Sequence, residues 1–224
     1  MCTLTYIPLK EHRLICSNRD EITQRSQCEL IKTNSGLIYP KEPLKGGSWI
    51  CSDKKRVLVL LNGAFKKHQP DSKYTKSRGL LLLELSETEN PIQLLESMNL
   101  TNVEPFTLVL IETNTINEAR WTGVELFCKS INPKEAHIWS SSSLYTEDAI
   151  KMRANLFKKY LESKELTKES QWFFHTQKSD DLENGIVMKR DLGPQTISTT
   201  QILFGDDLKE FKYFDHIKDE LIKL

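Results

Sequence analysis

Cys2 stands directly behind Met1, and its type and place together allow a chemistry that an interior cysteine lacks. Methionine aminopeptidases remove Met1 when the second residue is small, and Cys is small enough. The new first residue would then carry both a thiol and a free α-amine. The amine titrates near ~8 and the thiol near ~8.5, so the pair makes a nucleophile with a built-in base. The competing reading is that Cys2 is a small apolar residue starting a strand.

The other sulfur and imidazole groups suggest no second centre. Cysteines stand at 2, 16, 28, 51 and 128, an odd count with no CxxC spacing. That pattern argues for a reducing compartment and against a disulfide framework or a zinc site. The histidines at 12, 68, 137, 175 and 216 are scattered, with no HxxxH or HExxH, which predicts no metal. The 224 residues fit one domain, 1–224, and are enough to bury a core. The 31 basic and 31 acidic residues cancel, so charge gives no footprint for nucleic acid or an anionic membrane. Residues 1–9 are mildly apolar but run at once into Lys10, Glu11, His12 and Arg13, unlike a signal peptide. No apolar run reaches the ~18 residues of a membrane helix. A soluble, cytoplasmic protein is expected.

The elements that must position Cys2 follow from periodicity. Thr3–Pro8 and Arg13–Ser17 read as a strand hairpin, closed by Asn18-Arg19-Asp20-Glu21. Glu29–Tyr39 reads as a strand pair about the turn Asn34-Ser35-Gly36, and Gly46–Ser52 with Arg56–Asn62 as another hairpin. Ser77–Ser86 and Pro91–Met98 have helical character. Phe106–Glu112, Glu118–Trp121, Glu125–Cys128 and Ala136–Trp139 return to strand. Thr146 suits an N-cap for a helix over Glu147–Leu161, and Gln171–His175 continues as helix. Asn184–Arg190 and Thr196–Phe204 are expected as strands, and Asp206–Leu224 as a closing helix. This order predicts an α+β fold, largely antiparallel, with helices packed on the sheet.

Five features stand in a fixed order: Cys2, Asn18-Arg19-Asp20-Glu21, Gly46-Gly47-Ser48-Trp49, Asn62-Gly63 and Ser77-Arg78-Gly79. Together they resemble the family named for its NRDE motif, the transport and Golgi organisation family. The resemblance is strongest over residues 1–80 and extends through Trp139–Ser143, Arg153 and Thr196–Thr200. That family is similar to the N-terminal nucleophile (Ntn) hydrolases with an N-terminal cysteine, such as bile-salt hydrolases and penicillin V acylases. The resemblance implies a four-layer αββα sandwich, two mainly antiparallel sheets flanked by helices. It also implies cleavage of a non-peptide amide or thioester, or else haem or acyl-lipid carriage on the same fold. The implied partner is a small acyl or haem-like ligand, with no nucleic acid and no stable membrane insertion. No cofactor is expected, unless haem is the bound cargo.

Amide cleavage needs a nucleophile, a proton shuttle and an oxyanion site. Cys2 would supply the thiolate and its own amine the shuttle. Arg19 is the candidate cation that lowers the thiol pKa, and Asp20 the candidate that orients the amine. The alternative for Arg19 and Asp20 is a structural ion pair at a turn. Glu21 is read as structural, reaching the loop at Gly46-Gly47. Asn62 is the candidate oxyanion donor, or else plain turn chemistry with Gly63. Asn18, Trp49, Arg78, Ser140 and Ser141 complete a substrate-binding set. Trp49 reads more commonly as a half-buried core residue, and Arg78 more readily as an exposed one. The chain departs from active amide hydrolases in three places. Ser140-Ser141 stand where another Asn is usual, Ile197, Ser198 and Thr199 stand where a late Arg is usual, and Arg19 and Asp20 are adjacent.

Overall fold

A computed structural model describes residues 3–26, 28–69, 71–163 and 165–224. The chain divides into two compact units, each built on its own antiparallel sheet. The first unit takes described residues 3–26, 134–140, 145–163 and 165–224, and the second takes 28–69, 71–133 and 141–144.

In chain order the first unit opens with β1 (Thr3–Pro8) and β2 (Arg13–Glu21). The second supplies β3 (Glu29–Lys32), β4 (Ile38–Lys41), β5 (Ile50–Ser52), β6 (Arg56–Asn62), α1 (Arg78–Ser86), α2 (Pro91–Ser97), β7 (Phe106–Glu112), β8 (Ile116–Trp121) and β9 (Leu126–Ile131). The chain then returns to the first unit with β10 (His137–Ser140), α3 (Glu147–Ser163), α4 (Lys168–Thr176), β11 (Gln195–Phe204), β12 (Leu208–Asp215) and β13 (Glu220–Lys223). The first sheet runs β10-β1-β2-β11-β12-β13 and the second β3-β4-β5-β6-β7-β8-β9.

In the second unit Leu81, Leu82 and Leu85 of α1 are fully buried against Leu58 and Leu60 of β6 and Leu108 and Leu110 of β7. Alternation along β6 and β7 sends one side of each strand to this core. In the first unit Phe157 and Tyr160 of α3, with Phe174 of α4, pack on Ile7, Leu14 and Leu203. The helices α3 and α4 therefore cover the face of that sheet to which Ile7, Leu14 and Leu203 point. Thr146 starts α3 as expected: its Oγ1 accepts from the Ala149 N–H at 3.2 Å.

Several segments differ from the sequence reading; the strand expected over Gly46–Ser52 is confined to Ile50–Ser52. Asn184–Arg190 is irregular: one backbone bond, from the Thr196 N–H of β11 to the Met188 carbonyl at 3.0 Å, joins it to the sheet, and side chains take other carbonyls of the segment. Arg153 takes the carbonyls of Asn184 and Gly185, and Asn18 takes that of Ile186. Residues 206–224 form the hairpin β12-β13 instead of a helix. Phe211, Phe214 and Ile217 fit a helical spacing, but burial falls on Phe211, Tyr213 and Asp215, a period of two. The open edge of β11 supplies the hydrogen-bond ladder that decides between them. The four-residue motif Asn18–Glu21 also lies inside β2 rather than at a turn.

Candidate functional site

Strand β2 carries its polar end, Ser17 to Asp20, almost wholly buried. Successive side chains of a strand leave on opposite faces. Asn18 and Asp20 point to the helix-covered face, where their contacts lie. Ser17 and Arg19 point to the other face. Opposite them, β11 bulges between Thr196 and Ser198. The extra residue lets Thr196 pair with Asp20 and Ser198 with Arg19.

On the helix face Asp20 meets Arg153 of α3, Nη1 to Oδ2 at 3.9 Å, with both side chains fully buried. The carboxylate also accepts from Thr196 Oγ1 at 2.6 Å and from the hydroxyl of Tyr145. The Arg153 guanidinium lies 3.7 Å from the centre of the Tyr145 ring and donates to the hydroxyl of Thr3. The adjacent Arg19 and Asp20 are thus directed apart, and the cation set against Asp20 comes from α3. Glu21 likewise turns to Arg25, Oε2 to Nη1 at 2.8 Å, within its own unit.

Asn18 sits beside this pair with every amide valence in use. Its Nδ2 donates to the carbonyls of His175 at 3.1 Å and Ile186 at 2.8 Å. That fixes Oδ1 as the acceptor toward His175 Nδ1 at 3.0 Å and Thr199 Oγ1 at 3.0 Å. His175 therefore carries its proton on Nδ1. Its Nε2 accepts from Thr5 Oγ1 at 2.7 Å, and Gln171 donates in turn to Thr5 at 3.1 Å. Burial, helped by the nearby Arg153 charge, pushes the His175 pKa down to about 3, so the ring is neutral. His216 donates through Nε2 to Thr199 at 2.8 Å and is shifted down by burial as well. Asn18, read from sequence as a substrate contact, is placed as a bracket joining β2, α4 and β11.

The opposite face holds the other polar group. Arg19 is 3% exposed and donates to the Arg25 carbonyl at 2.9 Å. Across the sheet, Arg19 pairs with Ser198 and Ser17 with Thr200. Ser198 and Thr200 are buried, and their hydroxyls have no hydrogen-bond partner among the described residues. Leaving a buried hydroxyl unpaired costs about 1–3 kcal/mol. Thr3, the residue bonded to Cys2, pairs with Asn18 on one side and Ser140 on the other. Cys2 itself lies outside the described residues, as does Met1.

In the second unit, Asn62 ends β6 half-buried, and Ser141 Oγ donates to its carbonyl at 2.7 Å. No described residue hydrogen-bonds its side-chain amide. Gly63, at φ +82°, lies against the serine loop so closely that a Cβ would come 2.4 Å from Ser142 Oγ. Arg78 is not exposed. It pairs with Glu104 at 2.8 Å and donates to the Pro105 carbonyl at 3.0 Å. Trp49 is buried in this unit. The two glycine motifs meet: a Cβ on Gly47 would stand 2.6 Å from the backbone of Gly79, and the Ser48 N–H donates to the Gly79 carbonyl at 3.1 Å.

The order Asn18–Glu21, Gly46–Trp49, Asn62-Gly63 and Ser77–Gly79 thus has a geometric basis in each unit. The sequence pattern described as Transport and Golgi organisation 2 matches residues 1–204. The chain belongs to this family. No curated protein matches it. The match ends at the last residue of β11, so the β12-β13 hairpin lies beyond it. Among the described residues, no helix of this family member is long and apolar enough to cross a membrane.

Tyr145 and His175 of the polar network escaped the sequence reading, and Arg153, Thr196, Ser198 and Thr200 entered it only within the stretches that carry the resemblance, with no role assigned to them. Arg153 left a signal. It stands between Ala149 and Phe157 at four-residue steps, an arginine on the apolar face of a helix.

Proposed function

We propose that this chain is an N-terminal-cysteine hydrolase or acyltransferase acting on a small non-peptide amide or thioester. One observation carries the reading. The strand that follows Cys2 enters the sheet beside a buried polar row, Arg19 with the unpartnered hydroxyls of Ser198 and Thr200. A buried cation at that end favours a thiolate. Cys16, Cys51 and Cys128 are poorly suited to attack. Burial raises the thiol of Cys16 well above its usual range and that of Cys51 to about 12, and burial beside Glu96 raises that of Cys128.

With Met1 removed, the Cys2 thiolate attacks the carbonyl carbon, and the π pair moves onto oxygen. As the tetrahedral state collapses, the bond to the leaving amine or thiol breaks, and the α-ammonium supplies its proton. Water, or an acceptor hydroxyl or amine, then attacks the acyl thioester while the α-amine takes its proton, and the acyl product leaves Cys2. Arg19 holds the thiol ionised. Asp20, locked to Arg153 and Tyr145, positions β2 from its other face.

A carrier that binds an acyl group without turnover is the second reading, favoured by Ser198 and Thr199 standing where an arginine would hold a reacting substrate. A haem cargo finds less support. Both ring nitrogens of His175 are engaged, and His216 Nε2 is bound to Thr199.

The test is turnover of a panel of N-acyl p-nitroanilides and acyl thioesters by wild type and Cys2→Ala, with peptide mass mapping of the trapped adduct. An acyl group on Cys2 and turnover abolished in Cys2→Ala are expected. Turnover unchanged in Cys2→Ala would refute the enzyme reading.

A further inference from the structure

The first unit contains a cavity of about 490 Å³ lined by residues of α3, of α4 and of the stretch between them. The volume is in the range of small-molecule sites. Tyr160, Phe173 and Phe174 line it, with Glu165, Glu169 and Ser170. Its floor is fixed. Tyr160 and Phe174 stack at 4.9 Å and both pack against Phe157, and α4 is anchored from below by the fully buried Gln171 and His175. Phe173, by contrast, is left 55% exposed at the cavity.

The polar groups of the cavity divide into those already used and those free. The Thr167 and Ser170 side chains are spent on the capping box of α4, and Ser170 Oγ also meets the Tyr160 hydroxyl at 2.9 Å. Lys168, the nearest cation on α4, is drawn to Glu210 at 2.9 Å. Glu165 and Glu169 are exposed and form no ion pair among the described residues. The cavity therefore presents aromatic faces and two exposed carboxylates, Glu165 and Glu169, the second within reach of the Lys168 charge that Glu210 already holds. An anion is repelled there, and a neutral apolar molecule leaves the carboxylates unused.

We infer that this cavity binds a small organic cation with an apolar body, a quaternary ammonium or alkylamine. The aromatic rings attract the cation through their quadrupoles, and the carboxylates at the rim supply the charge complement. The site is separate from the cysteine chemistry and does not rest on it.

Benzyltrimethylammonium and its neutral isostere neopentylbenzene test this by calorimetric titration of the full chain at low salt. Saturable 1:1 binding of the cation is expected, at least tenfold tighter than the isostere. Glu165→Gln/Glu169→Gln removes that preference, and Phe173→Ala weakens the cation several-fold. All three proteins should keep the same circular dichroism spectrum. No saturable binding, equal binding of cation and isostere, or a preference that survives the double glutamine variant would each overturn the inference.

Discussion

Asp20 and Arg153 face each other across β2 and α3 with no exposed side-chain surface on either, Oδ2 to Nη1 at 3.9 Å. Tyr145 joins both, its hydroxyl to Asp20 and its ring to Arg153. Two charges out of water are tolerable only when each is held by the other and by further hydrogen bonds. Arg153 meets that condition through Thr3, Asn184 and Gly185.

Removing one partner strands the other. Arg153→Met is expected to destabilise the fold by about 3–5 kcal/mol. Tyr145→Phe keeps the ring and loses one bond to the carboxylate, at about 1–3 kcal/mol. Urea denaturation midpoints measure both. A loss below about 1 kcal/mol in Arg153→Met would show that the pair does not hold β2 to α3.

His175 ties stability to pH. Its folded pKa of about 3 lies below the ordinary 6.5 because burial opposes the charged ring. Below pH 6.5 the unfolded chain takes up a proton that the folded chain refuses. Stability is therefore full above that pH and falls by about 1.4 kcal/mol per unit as pH drops toward 3. His216, shifted the same way, adds to the slope near its upper end. In His175→Gln the slope between pH 6 and pH 4 should shrink by about one proton. Denaturant titrations across that window measure it, and an unchanged slope would mean that His175 charges freely in the fold.

Gly47 is a packing requirement. An added Cβ would meet the Gly79 carbonyl carbon at 2.6 Å and the Leu80 nitrogen at 2.8 Å, backbone atoms at the start of α1. Gly47→Ala should cost about 1–3 kcal/mol, read from the thermal midpoint. Ser35→Ala, in an exposed turn, should change little.

The thiols should separate by environment. Brief alkylation at pH 7.5 with peptide mapping is expected to label Cys2 first and Cys128 slowly, and to leave Cys16 and Cys51 unmodified. Cys16 and Cys51 are fully buried with raised pKa values. Early labelling of Cys51 would contradict the burial that keeps its thiol protonated.

The hairpin of β1 and β2, the helix capped by Thr146 and the strands β6 to β8 were legible because period and capping residues agree there. Residues 206–224 were not, because their apolar spacing suits a helix and a strand alike, and only the edge of β11 decides. Arg19 and Asn62 were visible as residue types. That Asp20 belongs to Arg153 was not, since strand alternation separates chain neighbours while the fold joins β2 to α3. Asn18 drew attention as a polar residue in a motif, yet its four hydrogen bonds make it a bracket. The partnerless hydroxyls of Ser198 and Thr200 depend on a bulge that no local pattern announces.

The most direct test of the nucleophile is the intact mass of the untagged protein, before and after incubation with an acyl thioester. The account predicts a mass short by one methionine, then a gain of one acyl group that is absent in Cys2→Ala. Met1 fully retained, with no acyl gain, would contradict it and leave the acyl-binding reading.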